Sequence, residues 1–465
     1  MPGIFRSPVR AVIAIAIVAG VLVTTHLTSL SPLPKWRLPG QPPESPLESS
    51  PNISSTPDPG APPCQRLDGA NDVVVVMRTG ATEIKDKLPV HFNTTFRCYP
   101  DKLIFSDYEE TFQGHQVHDV LVDVDEGLKQ TNDDFQHYQH LQRLGREGLQ
   151  ADELHGESWE SGPTGKNDNP GWRLDKWKFL PMIVQTLKLR PEKKWYIFVE
   201  PDSYIVWSNM VQWLEKLDPN QELYYGSEVQ IGDDIFAHGG TGFVMSKSAM
   251  EKGAEIYINN PDEWHERTAG HWAGDCILGT ALTKAGVDLT WSWPMFQGGN
   301  PSDLRWSETK AERRLWCEPA MSFHHFSSYE IQAMWGFEQQ RIQRMLTNEG
   351  TKSFWRTKDS ILHYHEMFRE YVMPNITAER NRWSNLSPDV VFDSKRISLS
   401  DCRAHCEARD NCVQYNLGPL GCSLSTEFKM GQLRFDVSSG WITERVNALV
   451  EDMGTCTGQS KWTVT

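Results

Sequence analysis

The chain has 465 residues, with 39% apolar and 11% aromatic side chains, and 18 of its residues are tryptophan. That is about three typical domain lengths, and so much burial potential excludes a disordered chain. The formal charge of -15, with no long run of Lys or Arg, argues against nucleic-acid binding and leaves any anionic ligand to be met by a metal ion or a few placed cations.

Arg6 and Arg10 precede a stretch, Ala11 to Leu30, that lacks Lys, Arg, Asp and Glu. About twenty uncharged residues after a basic flank predict a signal anchor at 11–30, a cytosolic tail at 1–10 and the bulk of the chain in the lumen. A cleaved signal peptide is the alternative, because the strongly apolar part ends at Val23 and contains AIA. Residues 31–63 hold eleven prolines, which predicts an extended stem. Sequons at Asn52, Asn93, Asn375 and Asn385, and nine cysteines, agree with passage through an oxidising secretory compartment. Spacing does not decide the pairing; Cys64 with Cys98 and Cys276 with Cys317 are the expected bridges.

From Asn71 onward short apolar runs alternate with turns: VVVVM, KLIFSD, HDVLVDV and WYIFVE. Such runs predict strands covered on both faces, as in an α/β sheet with helices between or beside them. The polar stretch Gly127 to Gly171 is expected to contain a mobile loop. Ser208 to Leu217 predicts a helix with Ser208 as N-cap, and Asp275 to Gly286 another with Gly286 at its C-terminal end. Beyond about Trp383, Cys402, Cys406, Cys412, Cys422 and Cys456 predict a small disulfide-stapled module, with a zinc site as the weaker reading because no CxxC occurs. The expected boundaries are 64–380 for the main domain and 381–465 for the module.

No P-loop, nucleophile elbow, HExxH helix or GxGxxG after a strand is present. The run WYIFVEPDSY instead ends in two acids one residue apart, Glu200 and Asp202. Acids at the carboxyl end of a central strand sit where open α/β sheets bind ligands, and a divalent cation there would relieve their repulsion. Water or a nearby lysine would do so as well. Downstream, IFAHGGTGFVMSKSAM breaks at Gly239-Gly240, which lets backbone approach a ligand or merely makes a tight hairpin. GDCILGTAL sets Asp275 at a helix start, where N-capping is its ordinary role. MSFHHFSS offers His324 and His325 as candidate ligands.

These motifs, in this order between about Asp72 and Tyr329, resemble the fringe-like glycosyltransferases, a family that includes the mucin-type β-1,3-galactosyltransferases. WYIFVEPDSYIVWSNM resembles the family's strand and DxD, GGTGFVMSKSAM its glycine-rich donor segment, GDCILGTAL its acidic helix start, and SFHHF its closing histidine motif. DCRAHCEARDNCVQY resembles a PAN/apple-type module. The resemblance implies a GT-A fold, a Rossmann-like mixed sheet with helices on both faces. It also implies a Golgi type II topology, a UDP-sugar donor, a glycan or glycoprotein acceptor, Mn2+ and inversion at the anomeric carbon. Asp202 and His324 match the metal ligands and Asp275 the catalytic base. Glu200 replaces the family's usual Asp, which suggests ribose or water-mediated contact. Arg78, Thr79, Gly80 and Asp107 stand where the family meets uridine, with ordinary turn chemistry as their alternative. Lys176 and Lys178 in GWRLDKWKFLPM are candidates to neutralise phosphate charge, with solvated helix lysines as the alternative. Trp172, Trp272, Trp291 and Trp293 are candidates for stacking on sugar faces. A carbohydrate-binding protein with a degenerate transferase domain is the alternative, and a two-carboxylate glycosidase a third reading.

Overall fold

A computed structural model describes residues 61–150, 153–154, 169–349, 360–391, 397–456 and 462, all within one compact unit, Pro59–Thr465. The expected tail, anchor and all but the end of the stem lie outside the described residues. Among the described residues no helix is long and apolar enough to cross a membrane.

The main domain opens with eleven strands among the described residues: β1 (Val73–Arg78), β2 (Lys102–Ser106), β3 (Glu110–Phe112), β4 (His115–Asp119), β5 (Trp195–Val199), β6 (Tyr204–Ile205), β7 (Tyr224–Gly226), β8 (Glu228–Ile231), β9 (Asp234–Ala237), β10 (Phe243–Ser246) and β11 (Leu289–Trp291). Eight of them form one mixed sheet in the order β11-β7-β10-β5-β1-β2-β4-β3. Strands β5, β1, β2 and β4 run parallel, and β10 is antiparallel to both its neighbours.

Alternation along β1 explains its unbroken valine run. Val73, Val75 and Met77 join one apolar cluster and Val74 and Val76 the other, so both faces are covered. Helix α3 (Trp207–Leu214) supplies Met210, Val211 and Leu214 to the first face. Helices α2 (Phe179–Leu189), α4 (Lys247–Asn259) and α5 (Gly274–Lys284) supply Ile183, Met250 and Leu278 to the second. The expected mixed α/β sheet with helices on both faces is what the chain forms.

Of three expectations, the first gains detail and the other two need correction. The polar stretch from Gly127, expected to contain a loop, carries helix α1 (Gln136–Leu144) after a turn of helix at Glu126–Thr131, and α1 buries His137, Tyr138 and Leu141 along one face. Only two apolar side chains, Tyr138 and Leu141, anchor this polar helix, too few to stand out in composition; residues 155–168 lie outside the described residues. Ser208 does not cap α3. The helix begins at Trp207, and the backbone N–H and hydroxyl of Ser208 both donate to Glu338 of helix α6 (Ser328–Glu349). Finally, Cys64 pairs with Cys98, but Cys317 pairs with Cys456, leaving Cys276 free and buried. The turn Leu315–Cys317 packs against the far end of the chain, where the Trp316 indole donates to the Gly454 carbonyl at 3.1 Å.

The C-terminal region is disulfide-rich as expected. Five antiparallel strands, Glu379–Ser384, Asp389–Val391, Gln414–Gly418, Gly421–Ser425 and Gln432–Trp441, carry helix α7 (Leu399–Glu407), fixed by the Cys402–Cys422 and Cys406–Cys412 bridges. Phe428, Met430, Trp441 and Val446 from this region share a cluster with Trp306, Phe368 and Tyr204, so the core runs on without a break.

Candidate active site

Register sets the first contacts. Met77 of β1 pairs with Val199 of β5, so the next residues, Arg78 and Glu200, emerge side by side at the carboxyl edge of the sheet. The Arg78 guanidinium reaches both Glu200 and Asp175, and it lies 4.1 Å from the centre of the Phe179 ring. One turn on, Lys178 is almost wholly buried and places its ammonium 3.1 Å from Asp107, 3.3 Å from Asp175 and 2.8 Å from the Thr79 carbonyl. Asp107 also accepts from the Ala81 N–H at 2.8 Å. Arg78, Thr79, Gly80, Asp107 and Lys178 therefore meet as one network in which cations and carboxylates alternate. Burial would raise the Asp107 pKa, but the Lys178 charge holds it below the usual carboxylate range.

Strand β12 (Ser322–Phe323) brings the distant histidines in. It pairs with β6, Tyr204 facing Phe323 and Ile205 facing Ser322, and the Phe326 N–H donates to the Asp202 carbonyl at 2.9 Å. His324 Nε2 consequently lies 3.3 Å from Asp202 Oδ1 and 3.8 Å from Glu200 Oε2. On its other side, Asp202 Oδ2 is 3.1 Å from the Lys87 ammonium. The Ser203 hydroxyl donates to the Gly240 carbonyl at 2.6 Å, tying the acidic turn to the glycine turn. Gly240 has to be glycine, since a Cβ there would stand 2.2 Å from the His324 ring; at Gly239 a Cβ would stand 3.1 Å from Phe179.

Charge in this corner follows from proximity. Burial disfavours the ionised form of every group here, yet Arg78 holds Glu200 well below the usual carboxylate range, and His324 and Lys87 do the same for Asp202. Burial also opposes a charged His324, but the two carboxylates override it and raise its pKa to about 9. Burial, and then the charge on His324, pushes His325 down, and burial does the same for His238.

The donor set fits a divalent cation. One ligand atom each from Asp202, His324 and His325 lie within 4.8 Å of one another, and Asp202 Oδ1 and His324 Nδ1 are buried atoms without a hydrogen-bond partner. A carboxylate with imidazoles suits a first-row transition ion, which would satisfy atoms that are otherwise costly to bury. Glu200 stands outside this trio, engaged by Arg78.

Asp275 is not an N-cap. It lies inside the first turn of α5, where Oδ1 accepts from the Cys276 N–H at 2.9 Å and Oδ2 from the Gly239 N–H at 2.9 Å. The carboxylate is thereby aimed at the glycine turn that borders His324. Trp172 and Trp272 stack 6.3 Å apart just before it, with Trp272 40% exposed, while Lys176 is paired with Asp134 at 2.9 Å. Trp291 and Trp293 stack on each other, and Arg313 and Lys310 cover their faces.

Asp175, Lys87 and His238 went unread in the sequence. His238 adjoins the Gly239-Gly240 break and stacks edge-on to His324 at 5.3 Å, so its place beside the glycines was a usable signal. Nothing local distinguishes Asp175 or Lys87 from solvated surface charges.

The family model described as Fringe-like matches residues 179–341, a span that starts in α2 and ends in α6 and takes in Glu200, Asp202, Gly239, Gly240, Asp275 and His324. Arg78, Thr79, Gly80, Asp107 and Lys178 precede it. Residues 179–341, about a third of the chain, are thus similar to the Fringe-like family.

Proposed function

We propose that this protein is a Mn2+-dependent, inverting glycosyltransferase that moves a hexose or N-acetylhexosamine from a UDP-sugar to a hydroxyl of a glycan or glycoprotein, forming a β-1,3 linkage. The observation that carries this reading is the Asp202, His324 and His325 trio at the carboxyl edge of the sheet, bordered by the glycine turn. Asp202 and His324 hold the metal, whose chemistry is to neutralise charge developing on the departing diphosphate. Arg78, Thr79, Gly80 and Asp107 border the nucleotide side, with Lys178 bracing them from beneath. Glu200 keeps Arg78 oriented. Asp275, held by two backbone N–H groups, takes the proton from the acceptor hydroxyl as that oxygen attacks the anomeric carbon. Single displacement needs no enzyme nucleophile. The protein would act from the Golgi membrane through an anchor at 11–30, with residues 381–465 as a PAN/apple-like module.

The test is a screen of UDP-sugars for Mn2+-dependent hydrolysis and transfer, with EDTA as control. Asp275→Asn is expected to bind UDP with Mn2+ as wild type does and to lose transfer by about a hundredfold or more, the scale of a lost general base. Asp202→Asn is expected to lose Mn2+-dependent UDP binding itself. Full transfer by Asp275→Asn removes the base assignment; wild-type turnover indifferent to EDTA removes the metal.

A further inference from the structure

Lys87 stands where the site's two functions meet. It ends the short helix Ile84–Lys87, which grows directly out of the Thr79-Gly80 turn through the Ile84 N–H to Gly80 carbonyl bond of 3.0 Å. Its ammonium is pinned by two carboxylates, Glu83 Oε2 at 2.9 Å and Asp202 Oδ2 at 3.1 Å. An ammonium carries three N–H donors, and the side chain is 40% exposed, so its charge still reaches the open side of the site. Asp202 is therefore shared: Oδ2 faces Lys87 while Oδ1, buried and without a hydrogen bond, faces His324.

We propose that Lys87 is the fixed second cation of this site, weakening its hold on a free divalent metal ion and strengthening its hold on a nucleotide diphosphate. The two effects follow from one charge. A cation on Oδ2 withdraws carboxylate charge from Oδ1 and repels a second cation placed there, while the same positive field attracts the diphosphate oxygens. Metal without nucleotide is then held loosely, and the full complex closes only when diphosphate joins both cations.

This inference rests on the metal and nucleotide reading above, so binding rather than turnover is measured. Mn2+ is titrated by electron paramagnetic resonance without nucleotide, and UDP by calorimetry in saturating Mn2+, for wild type, Lys87→Gln and Lys87→Arg, with thermal melting to confirm folding. Lys87→Gln is expected to bind Mn2+ about tenfold tighter and UDP about tenfold weaker, the scale of removing one neighbouring charge, and Lys87→Arg to restore both toward wild type. A lysine that only braces the helix would, on removal, weaken both ligands together or change neither; either result overturns the proposal. Wild type that binds neither Mn2+ nor UDP overturns the functional reading along with it.

Discussion

At the scale of single residues, the site is held by contacts that leave little room for substitution. Gly240 shows this most directly, because a methyl group there would overlap the His324 ring. Gly240→Ala is expected to push the imidazole away from Asp202 and lower Mn2+ affinity about tenfold or more, as supporting contacts of metal ligands do, while leaving the melting temperature nearly unchanged. Manganese titration with a parallel thermal melt checks this; unaltered affinity would mean that the ring yields at no cost. The sequons divide in the same manner. Asn93 is exposed, whereas Asn385 is buried and its amide donates to the Tyr415 and Gly440 carbonyls at 2.9 and 3.1 Å. A glycan on Asn385 would prevent these bonds, so folded protein from a secretory host should carry sugar at Asn93 and none at Asn385. Glycopeptide mapping decides it.

At the scale of elements, the acidic turn is fixed by helices that flank it. His91, in the helix Pro89–Asn93, is buried with Nε2 donating to the Pro201 carbonyl at 2.7 Å and Nδ1 2.7 Å from the Thr95 hydroxyl. Burial lowers its pKa from 6.5 to about 4. The folded chain keeps it neutral while the unfolded chain takes a proton first, so its contribution is complete above about pH 6.5 and is lost as pH falls toward 4. Urea unfolding at pH 7 and pH 4.5 should show a loss in wild type that exceeds the loss in His91→Gln by on the order of 3 kcal/mol. Equal losses would assign the acid sensitivity elsewhere. Helix α3 is supported likewise from afar: Glu338 on α6 accepts from the Ser208 N–H and hydroxyl and from the Tyr204 hydroxyl, a capping role that no residue near Ser208 fills.

How much of this could be read in advance depends on whether the cause was local. Strands β1, β2 and β5 announced themselves as apolar runs, and the acids after β5 were conspicuous because charge at the end of such a run is unusual. The four motifs, though scattered, each had a local signature. The Arg78 to Glu200 contact required strand register, Lys87 and Asp175 required the docking of two short helices, and the Cys317 partner required a distant segment lying across the main domain. Ser208 looked like a cap because the competing acceptor, Glu338, is 130 residues away. Pairwise tertiary contacts of this kind leave no trace in composition or periodicity.

At the scale of the whole molecule, the C-terminal region is part of the main core and not an appendage. Phe428, Met430 and Trp441 fill the same cluster as Trp306 and Phe368, Arg305 grips Glu427 at 2.6 Å, and the Cys317–Cys456 bridge closes a span of 139 residues. Replacing both cysteines, Cys317→Ser with Cys456→Ser, should lower stability by about 2–5 kcal/mol, read as a shift of the urea midpoint under non-reducing conditions. No shift would show that apolar packing alone holds the tail.

That bridge also imposes a timetable on synthesis. At typical elongation rates the ribosome needs on the order of ten seconds to travel from Cys317 to Cys456, and throughout that interval the first thiol waits without its mate. The free Cys276 is sequestered within α5, beside Phe236, and so is withheld from a premature cross-link. Closure of this bridge is therefore a late event, governed by how soon the segment around Cys456 docks and by how faithfully oxidation is delayed until it has.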